Sequence, residues 1–134
     1  MPEPAPLILL VDDDLDFLEI NRHILEPRGY RVACDTDPQA AWQRLQTEKP
    51  NLIITDLMMA NLDSGFSLAR HVKQDPRLAD VPIIMATAIT SQAGLDFRPR
   101  TREDLAAMSI DAYFDKPIPP QKLLDKVAEL LGRR

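Results

Sequence analysis

The sequence predicts an α/β fold, a doubly wound five-stranded parallel sheet with helices on both faces, on three observations. Short, almost wholly apolar runs recur along the chain, as parallel strands covered on both faces require. Segments with helical spacing alternate with them five times over, mostly through short connections. The apolar runs also stop on polar residues: Leu7–Val11 on Asp12-Asp13-Asp14, Leu52–Thr55 on Asp56, 81–86 on Thr87, and Tyr113-Phe114-Asp115 on Lys116-Pro117. Ligands of such sheets bind beyond the carboxyl ends of the strands, so these polar groups are expected to converge on one edge.

Taken in order, an extended proline-spaced tail (1–6) leads into the first strand, 7–11. A helix over about 14–26 follows, with Phe17, Ile20, Ile24 and Leu25 at helical spacing to face inward, and Pro27 and Gly29 stop it. The second strand is expected at 30–34. Asp37-Pro38, a cap residue before proline at the first helical position, opens a helix to about Thr47 with Ala41 and Leu45 inward. Pro50-Asn51 breaks the chain before the third strand, Leu52–Thr55, which delivers Asp56 to a loop. The next helix, from Gly65 to about Gln74, buries Phe66, Leu68, Ala69 and Val72, and Asp75-Pro76 ends it.

The fourth strand is read at 81–86. The segment that follows, about 89–101, has no clear period and reads as a long loop. Thr101-x-x-Asp104 is close to a capping box and starts a short helix to about Met108. Residues 112–114 form the fifth strand and 120–131 the last amphipathic helix, capped by Gly132. There are no internal repeats, low-complexity tracts or second-domain linkers, so 7–132 is a single domain.

Composition narrows the function. A chain of 134 residues with 45% hydrophobic content buries a core without staples, and its net charge of −5 argues against a nucleic-acid-binding surface of its own. The lone cysteine, Cys34, fits a small core residue in a reducing compartment. No leader peptide is apparent and no apolar stretch approaches the ~20 residues that span a bilayer, so a soluble, cytoplasmic protein without membrane insertion is expected.

The chemistry lies at the strand ends. Carboxylates gathered on one edge repel by about 4 kcal/mol per close pair at an effective dielectric near ~20, so something cationic must sit among them. The Lys116 ammonium is one candidate and a hard divalent ion such as Mg2+ is another. A carboxylate beside both is a plausible phosphoryl acceptor, and Asp56, alone at its strand end, is the obvious one. Asp14 reads as a helix cap or as a residue standing behind the ligands. His23 and His71 have no ligand partners near them in sequence, and Trp42 is expected to serve packing.

Four motifs in this order, Val11-Asp12-Asp13-Asp14, Asp56-Leu57-Met58-Met59, Thr87-Ala88 and Lys116-Pro117, resemble the receiver domain of two-component response regulators over nearly all of residues 7–131. The resemblance implies the flavodoxin-like strand order 2-1-3-4-5. It also implies that Asp12 and Asp13 hold Mg2+ with Asp56 and the backbone carbonyl of Met58, and that Asp56 is the phosphoacceptor. Thr87 would give its hydroxyl to a phosphoryl oxygen, and Lys116 would pair with that group from a cis Lys-Pro peptide. Tyr113 falls at the family's switch aromatic. The partners implied are a sensor histidine kinase or phosphotransfer protein and an unknown downstream protein. The fourth helix, fifth strand and fifth helix form the face that changes, and a homodimer through it is possible. No enzymatic activity beyond self-phosphorylation and slow self-dephosphorylation is expected.

The chain departs from the family pattern in places. Alanine (Ala60) stands in the usual proline turn after the acceptor strand, and the loop 60–65 carries one extra residue. Met58 and Ile89, two residues beyond Asp56 and Thr87, are large and apolar beside the implied route of water, which predicts slow self-dephosphorylation. A surplus between Thr87 and Lys116 falls at 92–102 and carries Phe97, Arg98, Arg100 and Arg102, either a partner-docking element or a solvated loop with Phe97 packed back. A haloacid-dehalogenase-like phosphatase with Asp12 as nucleophile is the alternative, since Asp12-x-Asp14 fits its first motif. That class needs a further acidic motif after the lysine, and only Asp125 and Glu129, inside the last helix, follow here. The sequence stops just past that helix, so a stand-alone receiver or a piece of a longer protein is expected.

Overall fold

The computed structural model describes residues 5–56, 64–87, 102–107 and 109–132. Among the described residues, five strands, β1 (Leu7–Val11), β2 (Arg31–Asp35), β3 (Leu52–Thr55), β4 (Ile83–Thr87) and β5 (Ala112–Asp115), alternate with five helices. These are α1 (Leu15–Leu25), α2 (Pro38–Leu45), α3 (Ser64–Gln74), α4 (Arg102–Ala107) and α5 (Pro120–Leu130). All strand pairs are parallel, in the order β2-β1-β3-β4-β5. The order reverses between β1 and β3, and the crevice beyond the carboxyl ends of those two strands is where such sheets bind ligands.

The strand side chains alternate between two cores, as a period of two dictates. Leu9, Val11, Ile53, Ile83 and Met85 pack with Ala41 and Leu45 of α2 and Leu68, Ala69 and Val72 of α3. Ile8, Leu10, Leu52, Ile54, Ile84 and Ala112 pack on the other face with Phe17, Leu18 and Leu25 of α1 and Leu123 and Val127 of α5. Every residue of β1 and β3 is buried, which explains why these strands read as continuous apolar runs. No helix among the described residues is long and apolar enough to cross a membrane.

Several local expectations shift. Ile20 is not inward: it is 58% exposed, while Asn21 is buried in the neighbouring sector of α1, its Nδ2 donating to the Phe17 carbonyl at 2.7 Å. β2 begins one residue later than expected, and Tyr30 instead enters the α1 and α5 core. β4 starts at Ile83 because Val81 donates its N–H to the Leu78 carbonyl and Pro82 has no N–H to give the ladder. Asn51 earns its place before β3 through a reciprocal clasp, its Oδ1 accepting from the Leu7 N–H at 2.8 Å and its own N–H donating to the Leu7 carbonyl. Gly29, at φ 91°, takes the left-handed turn that closes α1 and its 3-10 extension. Of the loops expected at 60–65 and 89–101, residues 60–63 and 89–101 lie outside the described residues, while Ser64 and Gly65 already belong to α3.

Candidate functional site

Strand register builds the acidic edge. Val11 pairs with both Asp35 and Thr55, so the residues that follow it and Thr55, Asp12 and Asp56, leave the sheet side by side. Backbone bonds hold them there: the Asp12 N–H donates to the Asp35 carbonyl at 3.1 Å and the Asp56 N–H to the Val11 carbonyl at 3.0 Å. Asp12 then turns the chain, its Oδ1 accepting from the Asp14 N–H at 2.9 Å. Asp14 is the N-cap of α1, accepting from the Asp16 and Phe17 N–H groups, as its reading as a cap expects.

Asp12, Asp13 and Asp56 each offer a carboxylate oxygen, and these oxygens lie within 4.8 Å of one another, with Asp12 and Asp56 buried and Asp13 exposed. Lys116 comes back from the end of β5, behind a cis Lys116–Pro117 peptide, and sets its Nζ 2.7 Å from Asp12 Oδ2 and 3.4 Å from Asp56 Oδ2. The same ammonium lies 4.4 Å from the centre of the Phe17 ring. Asp56 Oδ1 is buried and accepts no hydrogen bond from the described residues.

The electrostatics of this cluster have one direction. Burial pushes the Asp12 carboxyl up to about 6, against the hydrogen bonds from Lys116 and the Asp14 N–H, with the Asp56 charge adding to the rise. Burial works against the Lys116 charge, yet its hydrogen bond to Asp12 and the charges of Asp12 and Asp56 together hold the ammonium above its ordinary value. Both groups thus favour the protonated form, Asp12 because it is buried and Lys116 because Asp12 and Asp56 stand beside it. A site with surplus negative charge, hard oxygen donors and one buried carboxylate oxygen with no partner among the described residues fits a small divalent cation.

Of the remaining expected residues, Thr87 closes β4 opposite Asp115, which puts its backbone on the same edge. Tyr113 pairs with Met85 in β5 and packs, half-buried, against the core shared by α2 and α3. Met58 and Ile89 lie outside the described residues. His23 pairs with Glu19 on the surface of α1, and His71 meets Trp42 with ring centres 5.6 Å apart. Cys34 is half-buried against the α1 and α5 core, its thiol pushed up by burial. Phe17 was legible only as a core residue; its place in the first turn after the acidic run was the one available sign of more. A cleft of about 720 Å³, lined by Lys73, Leu105, Ile110, Asp111 and Leu130 among others, lies near the start of β5 and shares no residue with the acidic cluster.

Comparison with known proteins agrees with this geometry. The family model described as response regulator receiver domain matches residues 8–128. The chain is 35% identical over 130 residues to the transcriptional regulatory protein GltR of Pseudomonas aeruginosa, covering 94% of this chain and 49% of that protein. It is 28% identical to protein RcaC of Microchaete diplosiphon, over 98% of this chain and 19% of that protein. The chain therefore spans about half or less of the length of these curated relatives. Among solved structures, the chemotaxis response regulator CheY4 of Vibrio cholerae superposes with a TM-score of 0.77 at 25% identity, covering 94% of this chain and 98% of that one. The signal receiver domain of a signal transduction histidine kinase from Syntrophus aciditrophicus gives 0.78 at 29% identity, covering 96% and 91%.

Proposed function

This chain belongs to the response regulator receiver domain family, which serves phosphorylation-dependent signalling, and on that premise we propose how its own residues run the switch. Asp56 accepts a phosphoryl group from a histidine of a sensor kinase or phosphotransfer protein. The observation that carries this is the convergence of the Asp12, Asp13 and Asp56 oxygens within 4.8 Å, with the Lys116 ammonium bridging Asp12 and Asp56. A carboxylate oxygen of Asp56 attacks phosphorus. The bond from phosphorus to the donor nitrogen breaks as the new bond to Asp56 forms, and the donor imidazole regains neutrality with its ring proton.

Asp12, Asp13 and Asp56, with the Met58 carbonyl that the family pattern adds, would hold Mg2+, and the bound ion would supply positive charge to offset that of a phosphoryl group. Lys116 offsets charge on the acceptor side, where it already stands 3.4 Å from Asp56. Thr87 donates its hydroxyl to a phosphoryl oxygen, and Tyr113 follows it inward. The face of α4, β5 and α5 then changes shape for a downstream protein. The position of Thr87 at the end of β4, next to the strand that carries Tyr113, supports that relay.

Incubation with Mg2+ and acetyl phosphate tests the reading. Wild type should gain the mass of one phosphoryl group, mapped to Asp56, and Asp56→Asn should gain none. A label on Asp12 instead would favour the haloacid-dehalogenase-like alternative, and no label on either would end the proposal.

A further inference from the structure

We infer that Phe17 is a positioning residue for Lys116, the face of its ring forming a third wall of the seat in which the ammonium rests; the inference rests on the phosphoacceptor reading of Asp56. The Nζ sits 4.4 Å from the ring centre, well inside the range at which a cation is attracted to a ring face. The other walls are carboxylates, Asp12 at 2.7 Å and Asp56 at 3.4 Å. The ammonium is therefore drawn most closely to Asp12, the oxygen that a divalent cation also seeks. When Asp12 turns to a metal ion, Lys116 loses its nearest partner and has to stay in the crevice facing Asp56. Among these three partners the ring alone carries no oxygen for which a hard metal ion competes.

Phe17 is itself held in place, in part by its backbone. Its N–H donates to the Asp14 side chain, its carbonyl accepts from the buried Asn21 amide at 2.7 Å, and its side chain packs into the core shared by α1 and α5. A leucine there would keep an apolar side chain in the core, though a smaller one, and offer no negative face to a cation. The lysine side chain is 14% exposed, so the attraction acts in a partly desolvated site where it is stronger than at a surface.

Two measurements test this, one of them independent of phosphorylation. In metal-free protein, the Lys116 ε-methylene protons, assigned by their loss in Lys116→Met, should be displaced upfield by the ring current of Phe17. The displacement should survive in Phe17→Tyr and vanish in Phe17→Leu, or in Phe17→Met should the leucine variant fail to fold. With Mg2+ and acetyl phosphate, Phe17→Leu should phosphorylate Asp56 about three- to tenfold more slowly than wild type and Phe17→Tyr should restore the rate. In the Lys116→Met background the same Phe17→Leu change should leave the rate unaltered. Lysine resonances without displacement in wild type would overturn the inference, as would an equal effect of Phe17→Leu in both lysine backgrounds. Failure of wild type to label Asp56 would instead strike the phosphoacceptor reading, while the ring-current result still judges the seat.

Discussion

Replacing Asp12 by asparagine should make the metal-free protein more stable while removing its response to Mg2+, and the site sets the size of the gain. Asp12 is fully buried and its carboxyl is raised from 3.8 to about 6, with burial the leading cause and Lys116 opposing it. A raised carboxyl means that ionisation is disfavoured in the folded state. At ~1.4 kcal/mol per pKa unit the cost at pH 8 is on the order of 3 kcal/mol, with the help of Lys116 already counted. Asparagine keeps the shape, and its carbonyl oxygen can still accept the Asp14 N–H that Asp12 accepts at 2.9 Å. Lys116 keeps Asp56 as a partner. Urea unfolding at pH 8 with a chelator should therefore show Asp12→Asn more stable than wild type by about 1–3 kcal/mol. The penalty is fully present above pH about 6 and absent below about 3.8, so the gap between the two proteins should close as pH falls through that window. Adding Mg2+ should stabilise wild type by mass action, about 2.7 kcal/mol at a hundredfold excess over its Kd, and leave the variant largely unmoved. A variant no more stable than wild type at pH 8 would refute the reasoning, because the Asp12–Lys116 pair would then outweigh the cost of burying the charge.

Three further outcomes are expected. Asp14→Ala should lose about 1 kcal/mol of unfolding free energy with the cap of α1, while Asp56 still takes phosphate; loss of phosphorylation with stability intact would move Asp14 into the site. Gly29→Ala should cost about 1 kcal/mol in the same urea measurement for backbone strain alone, since φ is 91° and nothing lies within 4 Å of an added Cβ. Met58→Asn and Ile89→Glu should each speed loss of phosphate from labelled protein several-fold by admitting and orienting water, and unchanged decay in both would sink the expectation that these side chains slow self-dephosphorylation.

Much of this was legible because it depends on local pattern. The runs of β1 and β3 are apolar at every position, since both strands are covered on both faces, and this brought out Asp12 and Asp56 as the residues that break them. The cap at Asp14 and the stop at Gly29 are equally local, set by backbone groups a few residues away. Ile20 shows where pattern reading loses hold. Apolar spacing along α1 allowed two adjacent inward faces, and the neighbours in space chose the one containing Phe17, Leu18 and Leu25. A polar side chain, Asn21, could join that face because a carbonyl one turn back satisfied its amide.

Residue types and their order, then, settled which strands end on acids, which residue caps the first helix and which fold class can bury such runs. They also marked the lysine after β5 as the counter-charge. Folding decided how that charge is shared: Lys116 lies closer to Asp12 than to Asp56 and against the face of Phe17, three partners far from it along the chain. Parallel pairing of β1 with β3 put two carboxylates in one crevice, and burial there raised the proton affinity of Asp12. Local sequence encodes hydrogen bonds and burial periods within a few residues, whereas a Coulomb interaction depends on distances and dielectric surroundings that exist only once the strands have been laid side by side.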